Sequence, residues 1–242
     1  MTKSVSFLLA ACVAMSLLSA CAGPQGPMAA TAGRSGPAVA SPQFRVGDRW
    51  VYRIRDGFRA AQIYEETHVV TANGPDGVNV QVTVTGPVPT FTRVERWLDA
   101  GRVAQGSLFD IETRRFREPL ERYRFPLQPG ASWNQFVDNY NELTMREGRI
   151  NRYVRVGGHE RVTTPAGTFD AIRLDIVMRL DDDEFWRWPT DCTYTVWYAP
   201  AAKAAVREVR RAGYVEKGGG NSPGRLPAQN ALIELVSFTA GG

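Results

Sequence analysis

The chain has 242 residues with 29 basic and 25 acidic side chains, so its formal net charge is only +4. A charge this small does not indicate a polyanionic partner, and we expect no nucleic-acid binding. The three cysteines, Cys12, Cys21 and Cys192, do not have the spacing of a disulfide framework or of a zinc site.

The first 20 residues have the pattern of a bacterial export signal. Lys3 gives a positive start, and residues 5–18 form an apolar stretch interrupted only by Ser6 and Ser16. This stretch has the length of a signal-peptide core and is too short to cross a bilayer comfortably as a helix. It ends in Leu18-Ser19-Ala20-Cys21, which resembles the lipobox of bacterial lipoproteins. The sequence therefore predicts a lipoprotein signal peptide over residues 1–20.

Cleavage before Cys21 and acylation of that cysteine, with chains such as palmitate, would attach the mature protein to a membrane. A plain signal peptide followed by a chance cysteine is the alternative. Ala22 stands where aspartate would favour retention in the inner membrane. For a host with two membranes, we therefore expect a lipid-anchored protein on the periplasmic face of the outer membrane.

Residues 21–42 are predicted to be the lipidated cysteine and a flexible linker. The segment after Cys21 consists largely of Ala, Gly, Pro, Ser and Thr, and Arg34 is its only charged residue. Such a composition cannot bury enough apolar surface to offset the entropy lost on ordering. A flexible chain of this length spans roughly 25 Å, so the linker would space the following domain from the membrane.

Residues 43–242 are predicted to form one β-rich periplasmic domain. Apolar side chains alternate with polar ones over residues 78–84, 172–176 and 194–198, which is the pattern of half-buried strands. Turn sequences such as residues 73–77 separate these runs, and strong helical periodicity is scarce. We expect a mainly β fold, either a large curved antiparallel sheet or an open barrel, of about ten strands.

Two parts of this domain are similar to each other. Residues 44–50 match residues 127–133 in their apolar, glycine and tryptophan positions. Each segment is followed by a predicted strand pair around a glycine turn and then by a tryptophan-bearing strand, which carries Trp97 in the first half and Trp197 in the second. These matches predict two similar β units with tryptophans in equivalent core positions, and chance similarity of β spacings is the alternative.

Three motifs resemble signatures of bacterial envelope proteins of unknown function. They are Phe125–Trp133 (FPLQPGASW), Val162–Phe169 (VTTPAGTF) and Thr195–Pro200 (TVWYAP) followed by Val206-Arg207-Glu208. The resemblance extends over residues 44–238, and its motifs are turn and core motifs, which identify a fold better than an activity. More loosely, a lipid-anchored curved sheet is similar to the periplasmic lipoprotein-carrier fold, which implies a concave face for an acyl chain or another apolar molecule.

The catalytic inventory is poor, so we expect no enzyme, metal or cofactor. Cys192 is a lone thiol near a predicted strand start, where a buried hydrophobic role is favoured over a reactive one. His68 lies in an alternating strand and is expected on the surface or packed. His159 beside Glu160 would suit a general base, but no nucleophile elbow or phosphate-binding loop accompanies the pair. A periplasmic hydrolase is therefore a distant third function.

Charged segments have two interpretations each. Asp181–Glu184 has oxygens for a weak calcium site but not the spacing of an EF-hand, so a solvated hairpin tip is favoured. The adjacent Phe185, Trp186 and Trp188 would form a rim for a ligand or partner if they are exposed. The basic stretch of residues 114–124 is interleaved with glutamates, which favours a salt-bridged strand face over an anion site.

Two classes of function remain. A binding module for a lipid or another apolar envelope molecule predicts a cavity of ligand size inside the sheet. A structural protein that docks onto an envelope assembly predicts a filled interior and an exposed aromatic patch. We favour the binding module because a tethered curved sheet with many inward aliphatic residues suits it.

Overall fold

A computed structural model describes residues 34–59, 63–109, 111–218 and 224–242. The predicted signal peptide, Cys21 and most of the predicted linker lie outside these residues. Within the described ranges, no helix is long and apolar enough to cross a membrane.

The described residues form a closed barrel of twelve antiparallel strands. Each strand pairs with its neighbours in sequence, and β1 closes the barrel by pairing with both β2 and β12. The strands are β1 (Arg49–Asp56), β2 (Ile63–Gly74), β3 (Gly77–Thr85), β4 (Phe91–Trp97), β5 (Arg102–Gly106), β6 (Arg114–Glu121), β7 (Ser132–Asn141), β8 (Arg146–Thr164), β9 (Gly167–Asp181), β10 (Thr190–Ala199), β11 (Ala204–Val215) and β12 (Arg225–Thr239). One 3-10 turn, Pro200–Ala202, precedes β11.

The predicted mainly β, antiparallel fold is confirmed, but the barrel is closed rather than open and has twelve strands rather than about ten. Closure depends on pairs such as Trp50 with Phe238, which join the two ends of the described chain. A closed sheet leaves no unpaired edge strand on which other chains could add.

The alternation read from the sequence places the predicted core residues inside the barrel. Val78, Val80, Val82 and Val84 of β3 are at most 5% exposed. Residues 172–176 of β9 and 194–198 of β10 show the same alternation of buried and more exposed positions. The strands therefore direct every second side chain towards the barrel interior.

The described end of the predicted linker packs against the barrel. Val39 is 6% exposed, and its N–H donates to the Leu127 carbonyl oxygen at 2.9 Å. Arg34 pairs in the same way with His159. The flexible part of the linker therefore stays a prediction for residues that precede Arg34.

The two similar segments occupy equivalent places in two halves of six strands each. Gly47 and Gly130 have φ angles of 88° and 87°, and each precedes a buried tryptophan by three residues, Trp50 on β1 and Trp133 on β7. Glycine is the residue that adopts this left-handed conformation without steric cost. The same glycine turn therefore leads the chain into the first strand of each half.

The second pair of tryptophans is not equivalent, so that part of the prediction is wrong. Trp97 is buried in the barrel, whereas Trp197 lies between the buried Val196 and Tyr198 and faces outward. Its indole N–H donates to Glu160 Oε2 at 2.6 Å. A shift of one residue along a strand moves a side chain to the opposite face, so matched spacing did not ensure matched orientation.

Gly130→Ala is expected to lower the free energy of unfolding by about 1–2 kcal/mol, because a Cβ is disfavoured at a left-handed φ. An added Cβ meets nothing within 4 Å there, so the cost comes from the backbone conformation alone. Gly74→Ala is the control, since its Cβ also meets open space and its φ is not left-handed. Urea unfolding of both variants measures the difference, and equal effects would contradict this prediction.

Candidate ligand-binding site in the barrel interior

A cavity of about 480 Å³ lies inside the barrel. Eight-stranded barrels are largely filled by their own side chains, and the interior widens as strands are added. A twelve-stranded barrel therefore leaves space that inward side chains do not fill. The volume falls in the range of about 300–1,000 Å³ that is typical of small-molecule sites.

Apolar residues from three loops line one end of the cavity, together with Asp56 and Arg59. Phe58, Val88 and Ile111 come from the loops after β1, β3 and β5, and all three line the cavity. Phe58 is 50% exposed, so this end reaches solvent. Ile54 and Ile233, which are paired across β1 and β12, continue the apolar wall inward. We call this end, defined by Phe58, Val88 and Ile111, the mouth.

Aromatic rings pack at the opposite end. The Trp50 ring stacks on Phe238 at a centroid distance of 5.6 Å, and Phe44 lies 5.9 Å from Trp50 and 5.3 Å from Trp97. The Trp50 indole N–H donates to the Ala202 carbonyl oxygen at 2.7 Å. Because Trp50 is only 2% exposed, these rings form a closed floor.

Ion pairs cross the cavity wall between floor and mouth. Arg93 Nη2 lies 3.2 Å from Glu66 Oε1 and 3.8 Å from Glu95 Oε1. His68 Nε2 lies 2.9 Å from Glu66 Oε2, and Arg122 Nη2 lies 3.0 Å from Glu95 Oε2. This part of the wall is therefore a connected network of charges, beside apolar lining residues such as Ile176 and Val196, whereas an apolar surface was expected from the sequence.

Both glutamates of this network are ionised. Burial alone would raise the pKa of Glu66, but the His68 hydrogen bond and the charge of Arg93 lower it to about 2. Burial would also raise the pKa of Glu95, but Arg122 and Arg93 lower it to about 2. Each arginine of the network is therefore neutralised by an ionised glutamate, Arg93 by Glu66 and Arg122 by Glu95.

A second ion pair lies on β11. Arg210 Nη2 is 2.6 Å from Glu208 Oε2, and its guanidinium lies 5.3 Å from the centre of the Tyr194 ring. Burial would lower the pKa of Arg210, but Glu208 raises it above its usual value. Arg210 is therefore also neutralised locally.

Arg152 on β8 is different because it is buried with no carboxylate at ion-pair distance within the described ranges, although the charge of Glu208 acts on it. It is 4% exposed and lines the cavity. Its guanidinium donates to the carbonyl oxygens of Glu121 at 2.9 Å and Arg122 at 3.2 Å. Among the described residues, no acidic side chain forms an ion pair with it. Burial lowers the pKa of Arg152 to about 10, so the group is still a cation at neutral pH.

Tyrosine hydroxyls add neutral donors to the wall. Tyr52 donates to the Ala205 carbonyl oxygen at 3.0 Å. Tyr123 and Tyr198 pack with ring centroids 5.2 Å apart, and the buried Tyr198 hydroxyl has no hydrogen-bond partner within the described part of the chain. Burial raises the pKa of Tyr123 to about 12 and that of Tyr198 above its usual value, so both phenols stay protonated.

The predicted aromatic rim lies away from the cavity. Phe185 is 80% exposed and Trp188 is 55% exposed, both in the loop between β9 and β10. Trp186 packs edge-on against Tyr214 at 5.4 Å, and Lys217 Nζ lies 5.2 Å from the Trp188 ring centre. None of the three rim residues lines the cavity. Their role in binding a ligand or partner stays a prediction.

The acidic segment Asp181–Glu184 is not wholly a solvated tip. Asp182 is 5% exposed, and its carboxylate lies 2.6 Å from Arg114 Nη1 and 3.5 Å from Arg187 Nη2. Arg114 also pairs with Glu112, so the predicted salt-bridging of the basic stretch with its own glutamates is confirmed there, at a fully buried position. The expectation of a solvated tip was wrong at Asp182, because β6 supplies the opposite charge and the two side chains are buried together.

The residues that were considered for catalysis do not contact each other as a catalytic pair would. His159 Nε2 lies 2.9 Å from the Pro37 carbonyl oxygen, whereas Glu160 accepts a hydrogen bond from Trp197. Cys192 is 1% exposed, and burial raises the pKa of its thiol to about 12. His159 and Glu160 therefore face different partners, and Cys192 is a buried, protonated thiol as expected.

The charged residues that line the cavity were not predicted from the sequence. Arg93 and Glu95 alternate with outward residues along β4 and share a face with Trp97. That shared face was the available signal, because a charged residue two positions from a core tryptophan points the same way. Arg152 had a similar signal, since it lies between the buried Ile150 and Val154.

A solved structure shares this fold. The chain resembles a crystal structure of a Bacteroides fragilis NCTC 9343 protein, assigned as exported and with a YmcC-like fold, at 15% identity and a TM-score of 0.52. The alignment covers 84% of this chain and all of that one. A protein of Parabacteroides distasonis ATCC 8503, assigned as a lipoprotein, has 14% identity over the same shares and a TM-score of 0.46.

At such low identity, the Bacteroides similarity shows the fold alone. The second TM-score is too low to support an inference. No family model matches the chain, and no curated protein matches it. This chain therefore has a YmcC-like fold, in which the barrel interior is its candidate site.

Proposed function

We propose that the protein is a lipid-anchored binding protein of the cell envelope, and not an enzyme, that holds a small amphipathic molecule inside its barrel. The observation that carries this proposal is the cavity of about 480 Å³, with Phe58, Val88 and Ile111 at its mouth. A docking protein without a ligand would have no need for such a space, whereas a binding module requires it.

The anchor and the location rest on the sequence. Leu18-Ser19-Ala20-Cys21 supports acylation of Cys21, and Ala22 supports the outer membrane of a host with two membranes. Attachment through Cys21 and a linker would place the barrel in the periplasm near the membrane surface. Apolar envelope molecules would be available to it there.

Native mass spectrometry tests the proposal on the mature chain from residue 21, carrying Cys21→Ser and exported through a general signal peptide. We expect a retained small-molecule adduct that leaves on denaturation. Uptake of the neutral fluorescent probe N-phenylnaphthylamine provides a second measurement. A clean unliganded mass together with no probe uptake would refute the proposal.

A matched pair of variants locates the binding. Ala231→Trp fills the cavity beside Arg210, and we expect it to weaken probe uptake by about tenfold or more. Leu232→Trp adds the same ring to the next residue of β12, which does not line the cavity, and should leave uptake unchanged. Equal effects of both variants would place the probe outside the barrel.

A docking role for the loop between β9 and β10 is the second candidate function. Phe185 and Trp188 are exposed there, and Leu143 and Met145 in the turn after β7 are 63% and 76% exposed. Arg146 Nη2 lies 4.0 Å from Glu184 Oε2, so the turn and the loop are neighbours. Cross-linking to envelope proteins that is lost in Phe185→Ser/Trp188→Ser would favour this role.

A further inference from the structure

Among the described residues, Arg152 is a buried cation of the cavity with no carboxylate within ion-pair distance, and the charge of Glu208 reaches it only from farther away. Arg93, Arg122 and Arg210 contact Glu66, Glu95 and Glu208 respectively. Arg152 is held by two carbonyl oxygens, which fix its position but bring no negative charge. Buried charges in proteins are normally paired, because removing an isolated charge from water is costly.

Two phenols lie in the same part of the wall. Tyr123 follows Arg122, one of the residues whose carbonyl holds Arg152, and its ring contacts Tyr198. The Tyr198 hydroxyl is buried and has no hydrogen-bond partner among the described residues. Protonated phenols donate hydrogen bonds, so Arg152 and these tyrosines supply a positive charge and donors on one wall.

Resting on the proposed function, we propose that the ligand is a single-chain amphiphile whose carboxylate or phosphate group binds Arg152, with its chain towards the mouth. An anionic oxygen would complete the hydrogen bonding of the guanidinium and neutralise it. The chain would contact Ile54, Ile233 and Phe58, which line the path to the mouth. A cavity of about 480 Å³ suits one such chain.

Four probes with matched alkyl chains and different head groups test the recognition of charge. They are dodecanoate, dodecyl phosphate, dodecanol and dodecyltrimethylammonium. Calorimetric titration uses the mature Cys21→Ser chain with each probe below its micelle-forming concentration. We expect the preferred anion to bind at least about tenfold more tightly than dodecanol, and the cation to bind more weakly than dodecanol. The two anionic arms show whether a carboxylate or a phosphate is preferred.

Variants of Arg152 test whether this residue causes the preference for an anionic probe. Arg152→Gln keeps a donor for the carbonyl oxygens and removes the charge, so the anion should lose its advantage while dodecanol binding persists. Arg152→Lys keeps the charge and should retain part of the advantage. Arg155→Met removes an exposed arginine from the outer face of β8. This control should change neither the binding of the anion nor that of dodecanol.

The experiments distinguish a failure of the anionic-ligand proposal from a failure of the proposed binding function. If neither anion binds wild-type protein more tightly than dodecanol, the anionic ligand is ruled out while the binding function stands. If no probe binds at all, the binding function itself fails. If Arg152→Gln keeps the full preference for anions, Arg152 is not the recognition residue. The wild-type series decides the charge question even if a variant does not fold.

Discussion

Arg114→Met is expected to lower the free energy of unfolding by about 3–5 kcal/mol, the range for breaking a buried ion pair by removing one partner. Arg114 is fully buried, pairs with Glu112 and lies 2.6 Å from Asp182 Oδ1. Its Nη1 also donates to Asn139 Oδ1 at 2.6 Å. Methionine would leave two carboxyl groups and an amide without their common partner in a region that water does not reach.

Arg115→Met is the matched control for this experiment. Arg115 is the next residue on β6, its side chain is 59% exposed, and its Nε lies 2.9 Å from Glu142 Oε1. Exposed pairs contribute at most about 1 kcal/mol. Urea unfolding of the two variants should therefore separate them clearly, and a similar loss in both would show that the burial of Arg114 has no energetic consequence.

Glu95→Gln is expected to lower the free energy of unfolding at pH 7 by about 3 kcal/mol, the lower end of the range for a broken buried pair. Glu95 is 3% exposed and neutralises Arg93 and Arg122. Glutamine can still accept the hydrogen bond from the Trp97 indole, so the change removes charge more than shape. Arg122 would lose its carboxylate partner and keep its position over the Trp97 ring, 5.0 Å from its centre.

The effect of Glu95→Gln should depend on pH. The pKa of Glu95 is about 2 in the folded protein against an ordinary value of 4.5, so folding favours the ionised form. The resulting stability is complete above the unfolded pKa and is lost as the pH falls from about 4.5 towards 2. The difference in stability between wild type and Glu95→Gln should therefore shrink over that interval.

Thermal unfolding at several pH values between 2 and 7 measures this dependence. Glu147→Gln is the control, because Glu147 is exposed on β8, and this change should alter the free energy of unfolding at pH 7 by no more than about 0.5 kcal/mol. A destabilisation by Glu95→Gln that stays constant down to the lowest pH would contradict the ionic origin of the effect.

The alternation of apolar and polar residues identified the inward-facing side chains better in some strands than in others. In β3, alternating valines and polar residues placed the inward face correctly from the sequence. In β2 and β4, the inward face carries Glu66 and Glu95 besides apolar residues. Polarity alone would assign those glutamates to solvent. Part of the opposite charge comes from distant segments, Arg93 for Glu66 and Arg122 for Glu95, and a single-strand pattern contains no information about such partners.

The sequence by itself determined the strand alternation, the glycine turns at Gly47 and Gly130 and the candidate lipobox, because each depends on neighbouring residues. Only the tertiary structure decided that β1 pairs with β12, since strand pairing between distant segments depends on the whole sheet. Closure of twelve strands then made an interior too wide to fill and turned Arg152 and its neighbours towards it. The candidate binding site is thus a consequence of barrel geometry that local periodicity does not contain.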